Sequence, residues 1–201
     1  MRSRERLGLV SIFCCVLGLM PWQPLQARGQ DERYAGRTIT GTAYGFSGRL
    51  AGRSTPFALI INRYTTSAEV QQLNSALQSG GQDELLRALS GMSAGRIQLG
   101  NGVGVPANVI IATPQASGET KLTVVYQRNL SFSELRYGAR SEDYKFGYAE
   151  LFLGRRGQGQ GTFIPAAKIR LRDGNTWEVE DFGTFPARLI GLQARGGRSA
   201  R

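Results

Sequence analysis

Beyond its first 15 residues, carboxylates, hydroxyls, amides, arginines and three lysines are the polar groups this chain has for chemistry. It has no histidine, and its two cysteines, Cys14 and Cys15, stand side by side near the start. Without histidine there is no Ser-His-Asp or Cys-His relay. Without a cysteine beyond position 15, the usual ligand sets for zinc, copper and haem iron are missing too. No stretch matches the D-x-[DN]-x-[DN]-G calcium loop, so the expectation is no metal and no cofactor.

Two carboxylates alone can hydrolyse a glycoside, and two pairs come close enough in sequence to be weighed. Glu142 and Asp143 are adjacent and point apart along an extended chain. Glu178 and Glu180 share a strand face but are expected to meet Lys168 and Arg170. Gly157-Gln-Gly-Gln-Gly161, after Arg155 and Arg156, has the composition of a phosphate cradle. That chemistry needs a helix N-terminus, and Thr162-Phe-Ile-Pro165 begins a strand instead. The chain therefore reads as a non-enzyme, with a carboxylate hydrolase as the third choice.

What remains is binding. The stretch Tyr144 to Leu153 puts Tyr144, Phe146, Tyr148, Glu150 and Phe152 on one strand face and Gly147, Ala149, Leu151 and Leu153 on the other. Both faces are largely apolar, so one lines the core and the other is covered by helices, a partner or a ligand. Tyr144, Phe146 and Tyr148 are the candidate contacts for an apolar or mixed small ligand held in the interior. The alternative is an envelope-associated structural or interaction protein in which Arg49, Arg53, Arg155 and Arg156 bind anionic polymer or lipid.

The elements that must position these residues are mostly strands. Alternation, short apolar runs and turn residues mark strands over 37–44, 57–61, 96–99, 105–112, 120–128, 144–153, 161–172, 176–182 and 187–192. Between the second and third, Thr66-Ser-Ala-Glu69 fits a capping box, and Val70, Leu73 and Leu77 follow at helical spacing. Gly80-Gly81 ends that helix. A second, with Leu85, Leu86, Leu89 and Met92, runs from Gln82 to the breaks at Gly91 and Gly95. The fold class is mainly β: an antiparallel barrel or strongly bent sheet of about eight strands, with an inserted pair of short helices lying over one mouth or open edge. A two-sheet sandwich is the alternative.

The chain resembles an uncharacterised family of exported bacterial proteins in Asp31-Glu-Arg-Tyr34, Asn62-Arg-Tyr64 with Glu69-Val70, Gly81-Gln-Asp83 with Leu86-Arg-Ala-Leu89, Phe146-Gly-Tyr148 and Ile164-Pro-Ala-Ala-Lys-Ile169. The resemblance implies export and carries no assigned activity.

Export is also what the first residues spell. Arg2, Arg4 and Arg6 precede an uncharged run of 14 residues, Leu7 to Met20, and then Pro21 and Pro24. This is the order of a cleavable signal peptide, ending at Ala27, and the run is shorter than the roughly 20 residues a membrane-spanning helix needs. The domains are thus a signal at 1–27, one mostly-β domain at 28–192 and a flexible basic tail at 193–201. The destination is the periplasm or the medium. Taking 27 from 201 residues leaves 174, enough for one domain with a sizeable core. Taking three Arg and one Glu from 25 basic and 15 acidic residues leaves 22 and 14, a net charge of +8. The lone Arg195-Gly-Gly-Arg198 element is separated by export from nucleic acid, which is not an expected partner.

The last hairpin is legible to its register. A two-residue Asp173-Gly174 loop would set Arg170 opposite Trp177 and mix charged with apolar residues on each face. A three-residue loop over 173–175, with Asn175 in the left-handed region, instead pairs Leu171 with Trp177, Ile169 with Val179, Arg170 with Glu178 and Lys168 with Glu180.

Overall fold

The computed structural model describes residues 32–45, 52–128, 143–174, 176–181 and 186–196. The signal segment, Arg49 and Asn175 lie outside them. Ten strands form one antiparallel sheet: β1 Thr38–Tyr44, β2 Ser54–Ile61, β3 Gly95–Leu99, β4 Val105–Ala107, β5 Val109–Pro114, β6 Thr120–Gln127, β7 Phe146–Leu153, β8 Gln158–Arg172, β9 Thr176–Asp181 and β10 Ala187–Arg195. Their order is β4-β3-β2-β1-β10-β8-β7-β6-β5, with β9 paired to β8 beside this path.

This arrangement corrects several expectations. A single sheet removes the sandwich, and the absence of a ladder between β4 and β5 among the described residues means that the barrel is not closed. The strand expected at 105–112 is divided at Asn108, which raises the strand number. β4 and β5 run in the same direction on either side of that residue, so the two ends of the sheet follow one another in the chain. Thr65, just past β2, holds the curl: its N–H donates to the Ile110 carbonyl at 2.8 Å and its Oγ1 accepts from the Ile110 N–H at 3.0 Å. The tail begins later than expected, since Gln193, Ala194 and Arg195 pair with Thr40, Ile39 and Thr38.

The inner face of the bent sheet is filled by side chains. Ile39, Leu59, Ile97, Ala107, Ile110, Leu122, Leu151, Phe163 and Leu189 come from nine different strands and belong to one buried cluster. Tyr126 stacks on Phe163 with ring centroids 6.3 Å apart, and burial raises the Tyr126 hydroxyl pKa. A Cβ on Gly147 would lie 1.9 Å from the Tyr126 ring, so only glycine leaves the ring room. Tyr34, in a 3-10 turn at Glu32–Tyr34, also joins this cluster. It donates its hydroxyl to the Gly154 carbonyl at 2.8 Å and its N–H to the Tyr64 hydroxyl at 3.2 Å.

The helical residues form one element, α1 Ser67–Ser90, whose two arms meet without a loop at Gly81. There φ is 62° and ψ is −141°, a backbone that glycine adopts without a steric penalty. The expected capping box is present, with Thr66 and Glu69 bonded reciprocally. α1 covers part of the free edge of β8, where Gln82 bonds the Ile169 backbone, but most of it lies on a sheet face. Its Leu73, Leu77, Leu85 and Leu89 pack on the outer face of the sheet against Val109, Val125, Phe146, Tyr148, Ile164 and Ile169. Asn108 stitches this layer together: its Nδ2 donates to the Leu89 and Met92 carbonyls at 3.0 Å each, and its Oδ1 accepts from the Gln127 N–H at 2.8 Å.

The C-terminal hairpin has the expected register, with Lys168, Ile169, Arg170, Leu171 and Arg172 opposite Glu180, Val179, Glu178, Trp177 and Thr176. The ion pair differs in one respect, because Arg170 reaches diagonally to Glu180, 2.7 Å away, instead of straight across to Glu178. Glu180 also accepts from the Tyr144 hydroxyl at 2.7 Å. That bond, with Arg170 and Lys168 nearby, holds its carboxyl below the usual range. Positive φ falls at Asp173 and Gly174.

Candidate functional site

The aromatic residues chosen from the sequence do not face the interior. Phe146 is fully buried in the layer between sheet and α1, and Tyr148 shares that layer. The Tyr148 hydroxyl donates to Glu150 Oε1 at 2.6 Å, the same oxygen that Lys121 Nζ reaches at 3.1 Å. Burial, followed by the Glu150 bond, raises the Tyr148 pKa. Tyr144 precedes β7 and is held by Glu180. The interior holds the buried cluster that includes Ile39, Leu59, Leu122 and Leu189, and two cavities lined by described residues lie outside it. The larger, about 510 Å³, sits beside the α1 bend along β8. The Gln82 side chain reaches across there and bonds both the N–H and the carbonyl of Ile169, replacing a neighbouring strand.

The arginines chosen from the sequence, Arg49 apart, stand near the two ends of β1. Arg53 precedes Ser54, which pairs with Tyr44 at the far end of β1. Arg155 and Arg156 sit in the β7–β8 turn, whose Gly157 carbonyl accepts from Ala194, the partner of Ile39. Five residues of β1, about 17 Å, separate the two ends.

A different surface does come together. Among the described residues no helix lies on the outer face of β10, β1, β2 and β3, and its side chains line up in rows across the strands. One row runs Arg96, Ile60, Thr38, Arg195, and another runs Ser54, Tyr44, Arg188. Between them Ile190 stands beside Thr42. Arg96, Arg188 and Arg195 are all exposed. With strands about 4.8 Å apart, Arg96 and Arg195 are about 14 Å from each other.

No aspartate or glutamate occurs in β1, β2, β3, β4 or β10. Apart from Glu32 in the turn before β1, the described carboxylates belong to α1 (Glu69, Asp83, Glu84), to the β5–β6 turn (Glu119), to β7 and its approach (Asp143, Glu150) and to the β8–β9 hairpin. Apart from Glu32, the described carboxylates are therefore confined to one half of the sheet. Sequence reasoning missed Arg96 and Arg188 because they stand alone in their strands, and it assigned Arg195 to a loose tail. A usable signal was there: the polar positions of these four strands are arginine, threonine, serine or glutamine, without an acid.

The residues that carry the family resemblance mostly serve the architecture. Tyr34 and Tyr64 bond each other, Gln82 fastens α1 to β8, and Asp83 pairs with Lys145, which lowers the Asp83 pKa.

Fold and surface define the class as a mainly-β protein of one unclosed antiparallel sheet, with a helix on one half of its outer face and, among the described residues, no helix and no strand carboxylate on the other half. No described helix is long and apolar enough to cross a membrane. No protein-family model, curated protein or solved structure matches the chain.

Proposed function

We propose that this is an exported, non-enzymatic interaction protein that docks the uncovered half of its sheet on anionic material of the cell envelope. The observation that carries this reading is the segregation of charge: Arg96, Arg188 and Arg195 project from one face of strands that contain no carboxylate. Arg96 and Arg195, about 14 Å apart, sum their potentials toward solvent, and Arg188 adds to them from the other end of β10, about 20 Å from Arg195. Scattered ion pairs, such as those of α1 and the β8–β9 hairpin, cancel locally and contribute little outside. The reading agrees with the signal-like first 27 residues and needs no catalytic group. It replaces Arg49, Arg53, Arg155 and Arg156 with arginines that share one face.

Retention on an immobilised sulfated polysaccharide tests it. The triple substitution Arg96→Gln, Arg188→Gln, Arg195→Gln should weaken binding about 100-fold at low salt, taking about five-fold per arginine. The double substitution Arg155→Gln, Arg156→Gln should change it less than about three-fold beyond its loss of net charge. Equal losses per arginine in the two variants would mean that net charge alone binds, and would remove the reading.

A further inference from the structure

Large apolar side chains are also unevenly exposed. Among the described residues four stand out: Tyr44, Ile60, Val103 and Ile190. Tyr44 is on β1, Ile60 on β2, Ile190 on β10, and Val103 is in the turn between β3 and β4. All four thus belong to the acid-free half. Val103 is 83% exposed, flanked by Gly102 and Gly104, so nothing of its own turn shields it. The turn is nevertheless fixed, because Arg96 Nη1 donates to the Val103 carbonyl at 3.2 Å.

Resting on the anion-docking reading, we infer that the partner is an anionic lipid bilayer and that Val103 is the side chain that enters it. A soluble polyanion rewards arginine alone. Exposed aliphatic and aromatic side chains among the arginines gain only where apolar matter lies just beneath the charge, which is the order of headgroup and acyl chain. Arg96 connects the two features, since it belongs to the cationic row and also secures the turn that presents Val103. Ile60, Ile190 and Tyr44 stand on the pleat of the strands and meet the headgroup level. Val103, in a turn, is the most exposed of the four.

The test uses the purified protein with vesicles of phosphatidylcholine, with and without phosphatidylglycerol, alongside the polysaccharide column. The expected result is partition onto the anionic vesicles only. Val103→Asp should lower it by about ten-fold or more, the value of burying one aliphatic side chain, beyond the loss that its added negative charge alone causes, which the fall in column retention measures. Val103→Trp should bind more tightly and show a blue-shifted emission with anionic vesicles. Column retention without vesicle binding would overturn this inference and leave the anion-docking reading in place. Loss of both would end the two together. Equal vesicle binding by the Val103→Asp variant would show that charge suffices and that Val103 stays outside. A dimer dissociated by Val103→Asp would assign the face to a second copy of the chain and overturn the inference.

Discussion

The β5–β8 half and the β10–β1–β2–β3 half are built from similar antiparallel strands around one filled interior, yet they treat their outer faces in opposite ways. On the first, Val109, Val125, Phe146, Tyr148 and Ile164 are buried under α1. On the second, the equivalent positions hold threonine, arginine and a few exposed apolar residues. The burial patterns reflect this: β6 and β7 are buried at nearly every position, whereas β1 and β10 alternate. A strand apolar on both faces requires a second layer, because leaving such a face in water forfeits about 25 cal/mol per Å². A strand with arginine and threonine on its outer face requires none. The helix thus marks the half whose outer apolar residues need a second layer, and the proposed docking face lies on the half that does not.

The largest test of this contrast is in the core layer. Phe146→Ala should cost about 3–5 kcal/mol by cavity formation. Ile190→Thr on the bare face should stay within about 0.5 kcal/mol. Urea unfolding measures both, and similar losses would mean that the two faces are equally important to folding. Next is the latch between the layers. Asn108→Ala deprives the Leu89 and Met92 carbonyls and the Gln127 N–H of their partner, at about 2–3 kcal/mol. Protection of α1 amides from hydrogen exchange should fall more than that of β1 or β2, and uniform loss would break the comparison.

The smallest effect concerns the start of α1, at the edge of the covered half. Arg63 grips both oxygens of Glu69 at 2.9 Å, and this, with the Thr66 backbone bond, lowers the Glu69 pKa to about 2 from its ordinary 4.5. A carboxylate with a lowered folded-state pKa contributes stability above its unfolded value and loses it as pH falls toward the folded one. Glu69→Gln should therefore cost about 1 kcal/mol at neutral pH. The difference from the unaltered protein should shrink between pH 4.5 and 2, as followed by urea unfolding across that range. A constant difference would place its origin elsewhere.

Much of this was legible without coordinates. The Thr66–Glu69 capping box, the break at Gly81 and the register of the β8–β9 hairpin depend on residues close in sequence, where turn chemistry and alternation leave few choices. The apolar character of both faces of β7 foretold a covering layer, and α1 is that layer. The number of strands was less legible, because Asn108 divides a segment that is extended throughout and only its bonds to Leu89, Met92 and Gln127 explain the break. The binding residues chosen for their aromaticity were correctly placed on one face and wrongly given an open space, since periodicity separates inside from outside without saying what stands beyond.

The alternation of its side chains by itself determined which face of each strand every residue takes. Only the tertiary structure decided which strands are neighbours. Arg96 and Arg195 are 99 positions apart and become parts of one row because β10 returns to pair with β1, while β2 brings β3 to the other side. That return is driven by burial of Ile39, Leu189 and Leu192 in the common interior, an energy summed over the whole fold and written in no local stretch. The helix, by contrast, covers the strands whose outer apolar residues give it something to bury against. The acid-free face is what remains when both requirements have been met.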